Sequence, residues 1–182
     1  MIRGEKVVLR TIRETDLETL FNLMSDLRNR GEYYPLYLNS EPPMQKDFHE
    51  TGFWSEEKGG RLLICDRENK IVGLMFVDKE PSYFNGLELG YILYDEASRN
   101  KGYVTEAVLL ATRYLFSTRP INRIQILVLS ANEASKKIAL KCGFKFEGIA
   151  RGAFFHDGRN QDVEVYSILR DESNQSKDES AL

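Results

Sequence analysis

The stretch 87–107, LELGYILYDEASRNKGYVTEA, decides how the whole sequence is interpreted. Its first eight residues, Leu87 to Tyr94, are rich in apolar and aromatic side chains and predict a strand. From Val104 onward, apolar residues recur at helical spacing until Pro120, which predicts a helix. The residues between the strand and the helix therefore form a turn that leads into a helix N-terminus.

This turn, DEASRNKGY at 95–103, has the composition of an anion site. The first N–H groups of a helix have no intrahelical partner, and the helix dipole makes that end positive. Gly102 allows the backbone to approach an anion closely, and Arg99 and Lys101 add positive charge. The turn predicts a phosphate or pyrophosphate site, with an ordinary strand–helix connection as the alternative. It contains neither GxGxxG nor GxxxxGK(S/T), the motifs of dinucleotide and nucleoside triphosphate sites.

The flanking segments predict a further set of strands and helices. Toward the N-terminus, Thr15 to Glu18 has the form of a capping box before an amphipathic helix. Toward the C-terminus, Asn132 can cap a helix that ends at Gly143. A short helix is predicted around Gln45 to Trp54, and strands are predicted at Lys6–Ile12, Arg61–Cys65, Ile71–Val77, Arg123–Leu129, Phe144–Ala150 and Val163–Leu169.

This order of elements predicts a mixed α/β (α+β) fold. We expect a mostly antiparallel central sheet of about seven strands with helices on both faces. Residues 1–170 have the length of one domain, and the polar segment 171–182 predicts a disordered tail.

The composition excludes several classes of protein. The chain has 182 residues, is 42% hydrophobic and 29% charged, and carries a net charge of -3, which argues against a nucleic-acid binder. No segment predicts a signal peptide or a membrane span, so we expect a cytoplasmic protein, either a monomer or a homodimer. The two cysteines, Cys65 and Cys142, have no partner at metal-ligand spacing and predict buried free thiols, so no metal site is expected.

Two segments together, Arg99 to Ala107 and Asn132 to Phe144, resemble the GCN5-related N-acetyltransferases (GNAT). RNKGYV at 99–104 is similar to the acetyl-CoA pyrophosphate loop of the family, written R/Q-x-x-G-x-G/A, and Asn132-x-x-Ser135 with KCGF at 141–144 is similar to its second CoA-contacting helix. The resemblance extends from about Val8 to about Leu169 and is closest to the ribosomal-protein N-terminal acetyltransferases.

The resemblance implies acetyl-CoA as cosubstrate and a role for each matching residue. The strand 91–94 would part from the strand Arg123–Leu129, and the cofactor would lie between this splayed central pair. Strand Ile92–Tyr94 would pair with the pantetheine arm, and Asn132 and Ser135 would contact the arm near its thiol. Backbone amides of the loop would bind the pyrophosphate, and these belong to Arg99, Asn100, Lys101, Gly102, Tyr103, Val104 and Thr105.

Three positions depart from the family pattern. Val104 stands where Gly or Ala is usual. Ala139 stands seven residues after Asn132, where many members have a tyrosine general acid, so that Ser135 or a water would protonate the leaving thiolate. Phe154 aligns where the ribosomal-protein subgroup can place a glutamate.

Glu88 is the candidate general base, because it lies on the strand that would run beside the thioester. The alternative is a solvated or ion-paired strand carboxylate. His156 is interpreted as a turn residue. The resemblance implies transfer of an acetyl group from acetyl-CoA directly to a primary amine, with a protein N-terminal α-amine as the acceptor. The alternatives are a small-molecule amine such as an antibiotic or polyamine, or a CoA-binding sensor without turnover.

Overall fold

The computed structural model describes residues 1–35, 38–81 and 84–173. Its four α-helices are α1 (Leu17–Ser25), α2 (Glu41–Thr51), α3 (Tyr103–Thr118) and α4 (Glu133–Lys141). Its strands are β1 (Ile2–Arg3), β2 (Val8–Arg10), β3 (Trp54–Ser55), β4 (Gly59–Cys65), β5 (Ile71–Lys79), β6 (Gly86–Leu93), β7 (Arg123–Leu129), β8 (Lys145–His156) and β9 (Arg159–Leu169). The mixed, mostly antiparallel fold class is confirmed, and the strands beyond the seven expected are the two-residue β1 and β3.

The chain divides into two compact units, and each contains part of β6 and part of α3. The first unit comprises Met1–Asp78 and Tyr91–Ala107, and the second comprises Lys79–Gly90 and the chain from Val108 onward. The expected single domain 1–170 stays a prediction. Of the expected disordered tail 171–182, residues 174–182 lie outside the described part, and residues 170–173 form a helical turn.

In the first unit the strands lie in the order β1-β2-β4-β5-β6, with β3 paired to β4. Nine buried side chains form the core of this unit: Ile12, Leu17, Leu20, Phe53, Leu63, Cys65, Leu74, Ile92 and Tyr94. The β4–β5 hairpin carries three of them because its central residues are apolar on consecutive positions, as expected of strands covered on both faces.

In the second unit the order is β6-β7-β9-β8. The β6–β7 pair is parallel and spans only three residue pairs, from Gly86–Arg123 to Glu88–Gln125. Within the described residues of this unit, the pairing ends at Glu88. The splay of strand 91–94 from Arg123–Leu129 that the resemblance implied stays a prediction, because these two segments belong to different units. The β7–β9 and β9–β8 pairs are antiparallel, and the β8–β9 pair continues to the hairpin turn, where Asp157 and Gly158 have positive φ angles of 51° and 74°.

Two local expectations were wrong. Thr15 to Glu18 does not form a capping box. The Asp16 carboxylate accepts the Arg13 N–H at 2.8 Å in the short helical turn Glu14–Asp16, and α1 begins at Leu17 without a side-chain cap. Asp16 takes this place because the buried guanidinium of Arg10 also binds it, at 2.6 and 2.8 Å. Helix α2 begins at Glu41 rather than near Gln45, since proline is tolerated in a first helical turn, and Gly52 ends it with φ 62°.

Candidate active site

The strand–helix turn of the first unit is built from backbone conformations that favour convergent N–H groups. Asp95 accepts the Ala97 N–H at 2.8 Å and caps the short helical turn Glu96–Ser98. Asn100 and Gly102 then adopt positive φ angles of 60° and 80°, and α3 begins at the next residue. Asparagine and glycine are the residues that tolerate this left-handed region, so the sequence RNKG specifies the shape of the turn.

The end of α3 that follows this turn directs its first amides outward. The Glu106 N–H donates to the Gly102 carbonyl at 3.0 Å. The N–H groups of a first helical turn have no intrahelical acceptor and point beyond the helix end, where the dipole is positive. A glycine without Cβ beside outward-pointing amides suits a pyrophosphate, so this donor set fits the phosphate portion of acetyl-CoA.

The side chains of the turn support this interpretation unequally. The exposed guanidinium of Arg99 forms an ion pair with Glu96 at 3.0 Å, and Lys101 lies 5.8 Å from the centroid of the Tyr103 ring. Val104, the departure from the usual small residue, is buried with 6% of its surface exposed. Its extra bulk therefore packs inside the protein, while its N–H stays at the helix end.

The three residues expected to pair with pantetheine, Ile92, Leu93 and Tyr94, differ in the direction of their backbone groups. The Tyr94 N–H donates to the Val72 carbonyl at 3.1 Å, so the backbone groups of Tyr94 face β5. Because alternate residues of a strand face opposite edges, the groups of Ile92 also face β5 and those of Leu93 face the other edge. The buried side chains of Ile92 and Tyr94 belong to the core. Leu93 is thus the residue of this trio whose backbone can pair with a ligand strand.

Glu88 lies in a chain of polar side chains on one face of the second unit's sheet. The Gln125 Nε2 donates to Glu88 Oε2 at 3.0 Å, across the last parallel pair of β6 and β7. Arg123 fixes the orientation of this amide by donating to Gln125 Oε1 at 2.9 Å. Arg123 is itself held by the fully buried carboxylate of Glu80 at 3.0 Å and by Glu147 at 2.6 Å. The half-buried Glu88 therefore has a defined position, which a solvated strand carboxylate would lack.

Sequence reasoning missed Gln125 and Arg123. Both lie on β7 at alternate positions, a signal for one sheet face, but their approach to Glu88 depends on strand register.

Asn132 and Ser135 form the N-terminus of α4 as expected. The Ser135 N–H donates to Asn132 Oδ1 at 3.0 Å, so Asn132 is a helix cap, and Ser135 is buried. The helix ends where the Gly143 N–H bonds to the Leu140 carbonyl at 3.1 Å, with the Gly143 φ at 83°, as the sequence predicted.

Tyr166 and Cys142 of the second unit both have pKa values raised above their ordinary values. Ala139, at the position of the usual tyrosine acid, is fully buried. The pKa of Tyr166 is raised to about 12, because Tyr166 is buried and its hydroxyl donates to Glu164 at 2.7 Å. Burial raises the pKa of Cys142 to about 12, so this thiol is not a nucleophile at neutral pH. His156 is buried where β8 meets the hairpin turn.

The geometry of the turn agrees with comparison to known families. The family described as "Acetyltransferase (GNAT) domain" matches residues 6–145. The chain belongs to the GNAT acetyltransferase family.

Individual relatives cover nearly the whole chain. The uncharacterized N-acetyltransferase YoaA of Bacillus subtilis is 28% identical over 173 residues, which cover 93% of this chain and 97% of the relative. The ribosomal-protein-serine acetyltransferase of Escherichia coli is 21% identical, with 92% and 95% covered. A solved structure of spermidine N-acetyltransferase from Vibrio cholerae, in complex with CoA and spermine, superposes with a TM-score of 0.80 at 22% identity and covers 94% of this chain and 99% of that one.

The protein is therefore an acetyl-CoA-dependent N-acetyltransferase. The predicted family, acyltransferase activity and acetyl-CoA cosubstrate are confirmed. Across residues 1–35, 38–81 and 84–173, no group of three or more His, Cys, Asp or Glu residues could hold a metal ion. Among the helices in this described part, none has both the length and the apolar character needed to cross a membrane.

Proposed function

We propose that this enzyme transfers the acetyl group of acetyl-CoA directly to the α-amine of a protein or peptide N-terminus, with Glu88 as general base. The observation that carries the proposal is the carboxylate of Glu88, held by Gln125 at 3.0 Å on the last paired residue of β6. In this account the amine approaches β6 beside this carboxylate.

The described cysteines support direct transfer over a covalent acetyl-enzyme. A covalent acetyl-enzyme would need an activated nucleophile such as a thiolate. Cys142 and Cys65 are buried, and burial raises the pKa of both thiols. Attack by the amine on the thioester therefore requires only a base for the amine proton, a donor for the developing oxyanion and an acid for the thiolate.

Each of these roles has a candidate in the chain. Glu88 accepts the amine proton, directly or through a water. The Leu93 N–H faces away from β5 and can donate to the thioester oxygen, an interaction worth several kcal/mol in acyl transfer. Ser135, or a water, protonates the departing thiolate. Of the amides expected to hold the pyrophosphate, that of Arg99 already donates to the Glu96 carbonyl at 3.0 Å, so those from Asn100 to Thr105 take this role. The Asn132 amide contacts the pantetheine arm.

The choice of acceptor depends on the pKa of the amine, which sets how often a single carboxylate must remove a proton. An α-amine with a pKa near ~8 is roughly a tenth neutral at pH 7, whereas a lysine amine with a pKa near ~10.4 is neutral in about one molecule in 2,500. The modest base equipment around Glu88 suits the more acidic α-amine. Relatives named as ribosomal-protein acetyltransferases support the same class of acceptor.

A polyamine is the second candidate acceptor. The structural neighbour with a TM-score of 0.80 is a spermidine N-acetyltransferase in complex with spermine, and the net charge of -3 favours a cationic substrate.

The test is an acceptor panel with acetyl-CoA, measured by thiol release and by mass spectrometry of the acceptor. The panel contains peptides with free N-termini, the same peptides with blocked N-termini and an internal lysine, spermidine, spermine and an aminoglycoside. The proposal expects the highest kcat/KM for the free N-terminal peptides and acetylation at the α-amine. Higher kcat/KM for spermidine or spermine would establish the second candidate and overturn the first.

We also propose that the enzyme acts in the cytoplasm. Its cysteines, Cys65 and Cys142, are both buried and form no disulfide, as is usual for proteins of a reducing compartment.

A further inference from the structure

A lysine from the N-terminal segment lies at the phosphate turn of the first unit. The Lys6 Nζ donates to the carbonyl of Lys101 at 3.2 Å, across 95 residues of sequence. If Gly102 carried a Cβ, its three nearest atoms would all belong to Lys6, and Nζ would be 3.0 Å away. The ammonium group of Lys6 therefore lies beside the backbone surface that Gly102 leaves bare.

The backbone of Lys6 is fixed by the same helix that begins at this turn. Glu106, in the first turn of α3, accepts three consecutive backbone N–H groups, those of Glu5, Lys6 and Val7, at 2.9, 2.8 and 2.7 Å. Three amide donors to one carboxylate are a strong, charge-assisted arrangement. They also compensate the negative charge of Glu106, which would otherwise lie unshielded near the proposed place of an anion. The contact of Lys6 with the turn is thus built into the fold.

The other cations of the turn are engaged differently. Arg99 pairs with Glu96, which neutralises part of its charge, and Lys101 is exposed and lies over the Tyr103 ring. Lys6 has three N–H donors on a compact ammonium, and the carbonyl of Lys101 accepts one of them. Its charge lies directly beside Gly102, where the family places the pyrophosphate.

We propose that Lys6, positioned by Glu106, is a further acetyl-CoA-binding residue that contacts the pyrophosphate at Gly102. The loop motif alone does not contain this residue. The inference rests on the family assignment and on the contacts of Lys6, and it is independent of Glu88 and of the identity of the amine.

The test is calorimetric binding of acetyl-CoA and of 3'-dephospho-CoA to wild type, Lys6→Met, Lys6→Arg and, as matched control, Lys46→Met. Lys46 is an exposed lysine of α2 that pairs with Glu50. The three bonds to Glu106 use backbone groups, so Lys6→Met keeps them, and thermal unfolding checks that it does.

The proposal expects Lys6→Met to weaken both ligands by the same factor, about tenfold at low ionic strength, the scale of one charge-assisted hydrogen bond. Lys6→Arg should recover most of the affinity, and the loss should shrink as salt screens the exposed charge. Unchanged affinity in Lys6→Met would overturn the proposal. A loss for acetyl-CoA without a loss for 3'-dephospho-CoA would also overturn it, because the contact would then be with the 3'-phosphate.

Discussion

The phosphate turn of the first unit and the Glu88 chain of the second unit differ in the atoms that build them. The turn is made of backbone: two positive φ angles, at Asn100 and Gly102, and the amides of a helix end. The Glu88 chain is made of side chains that bond in sequence, from Glu80 through Arg123 and Gln125 to Glu88. A backbone site tolerates changes in most of its side chains, whereas a change at any residue of the Glu88 chain alters the hydrogen bonds of its neighbour.

The largest effect is expected where a side chain is added to the backbone site. Gly102→Glu places a bulky, negatively charged side chain in a left-handed position beside the pyrophosphate. We expect acetyl-CoA affinity to fall by a factor on the order of 10² or more, since steric obstruction and like-charge repulsion act together. Calorimetry on a folded variant measures the loss.

Gly158→Glu is the matched control, because Gly158 also has a positive φ, of 74°, but lies in the β8–β9 turn with open space where a Cβ would be. If Gly102→Glu binds acetyl-CoA as tightly as wild type does, the turn is not part of the cofactor site.

The next largest effect is expected at Glu88, the last residue of the Glu88 chain. Glu88→Gln keeps the size of the residue and removes the base, so kcat at neutral pH should fall by roughly 10². Acetyl-CoA affinity should stay within twofold of wild type, because Glu88 does not contact the cofactor in this account. Steady-state kinetics and calorimetry are compared with Glu68→Gln, which removes an exposed carboxylate from the β4–β5 turn. If affinity falls in parallel with kcat, Glu88 belongs to binding and not to proton transfer.

A smaller effect is expected at Gln125, the residue next to Glu88 in the Glu88 chain. Gln125→Met removes the amide that donates to Glu88 at 3.0 Å while keeping similar volume. We expect kcat to fall about tenfold, the scale of one hydrogen bond to a charged group. The acid limb of the pH–rate profile should move to higher pH, because the carboxylate loses a donor that favours its charged form.

Gln161→Met is the control for this variant, since Gln161 bonds the backbone of His156 in the same unit and does not contact Glu88. A drop in kcat with an unmoved pH profile would mean that Gln125 supports the sheet rather than the base.

The smallest effect is expected at the cap of α4. Asn132→Asp keeps the oxygen that accepts the Ser135 N–H, so the melting temperature should not change. It removes an amide donor and adds negative charge, and acetyl-CoA affinity should weaken about threefold to tenfold if the side chain contacts the cofactor. Asn132→Ala should instead lower the stability by about 1 kcal/mol through loss of the cap. If Asn132→Asp binds acetyl-CoA as wild type does, Asn132 is a cap alone.

The same contrast explains what could be predicted from the sequence. The turn at Gly102 and the cap at Asn132 depend on residues within a few positions of each other, and β7 has the predicted bounds Arg123–Leu129. The contact of Gln125 with Glu88 depends on a parallel register between residues 37 apart, and that of Lys6 with Lys101 on residues 95 apart. Local backbone preferences specify the former, whereas only the assembled sheet and helix end specify the latter.

The capping error at α1 has a related cause. Ser/Thr-x-x-Glu is a local pattern, and it competes here with Asp16, whose carboxylate is drawn to Arg10 on β2. A tertiary ion pair thus holds the carboxylate that caps the short helical turn before α1. Val104 is a second example, because the burial of its side chain depends on the packed core and not on the neighbouring sequence.

The most direct test of the account is the ratio of kcat for wild type and Glu88→Gln as a function of pH, with a peptide α-amine as acceptor. If Glu88 removes the amine proton, the ratio should be roughly 10² near pH 7 and should fall toward unity as the pH passes the amine pKa of ~8, where the acceptor deprotonates without help. A ratio that stays constant across this range would contradict the account, because Glu88 would then position the substrate or support the fold rather than accept the proton.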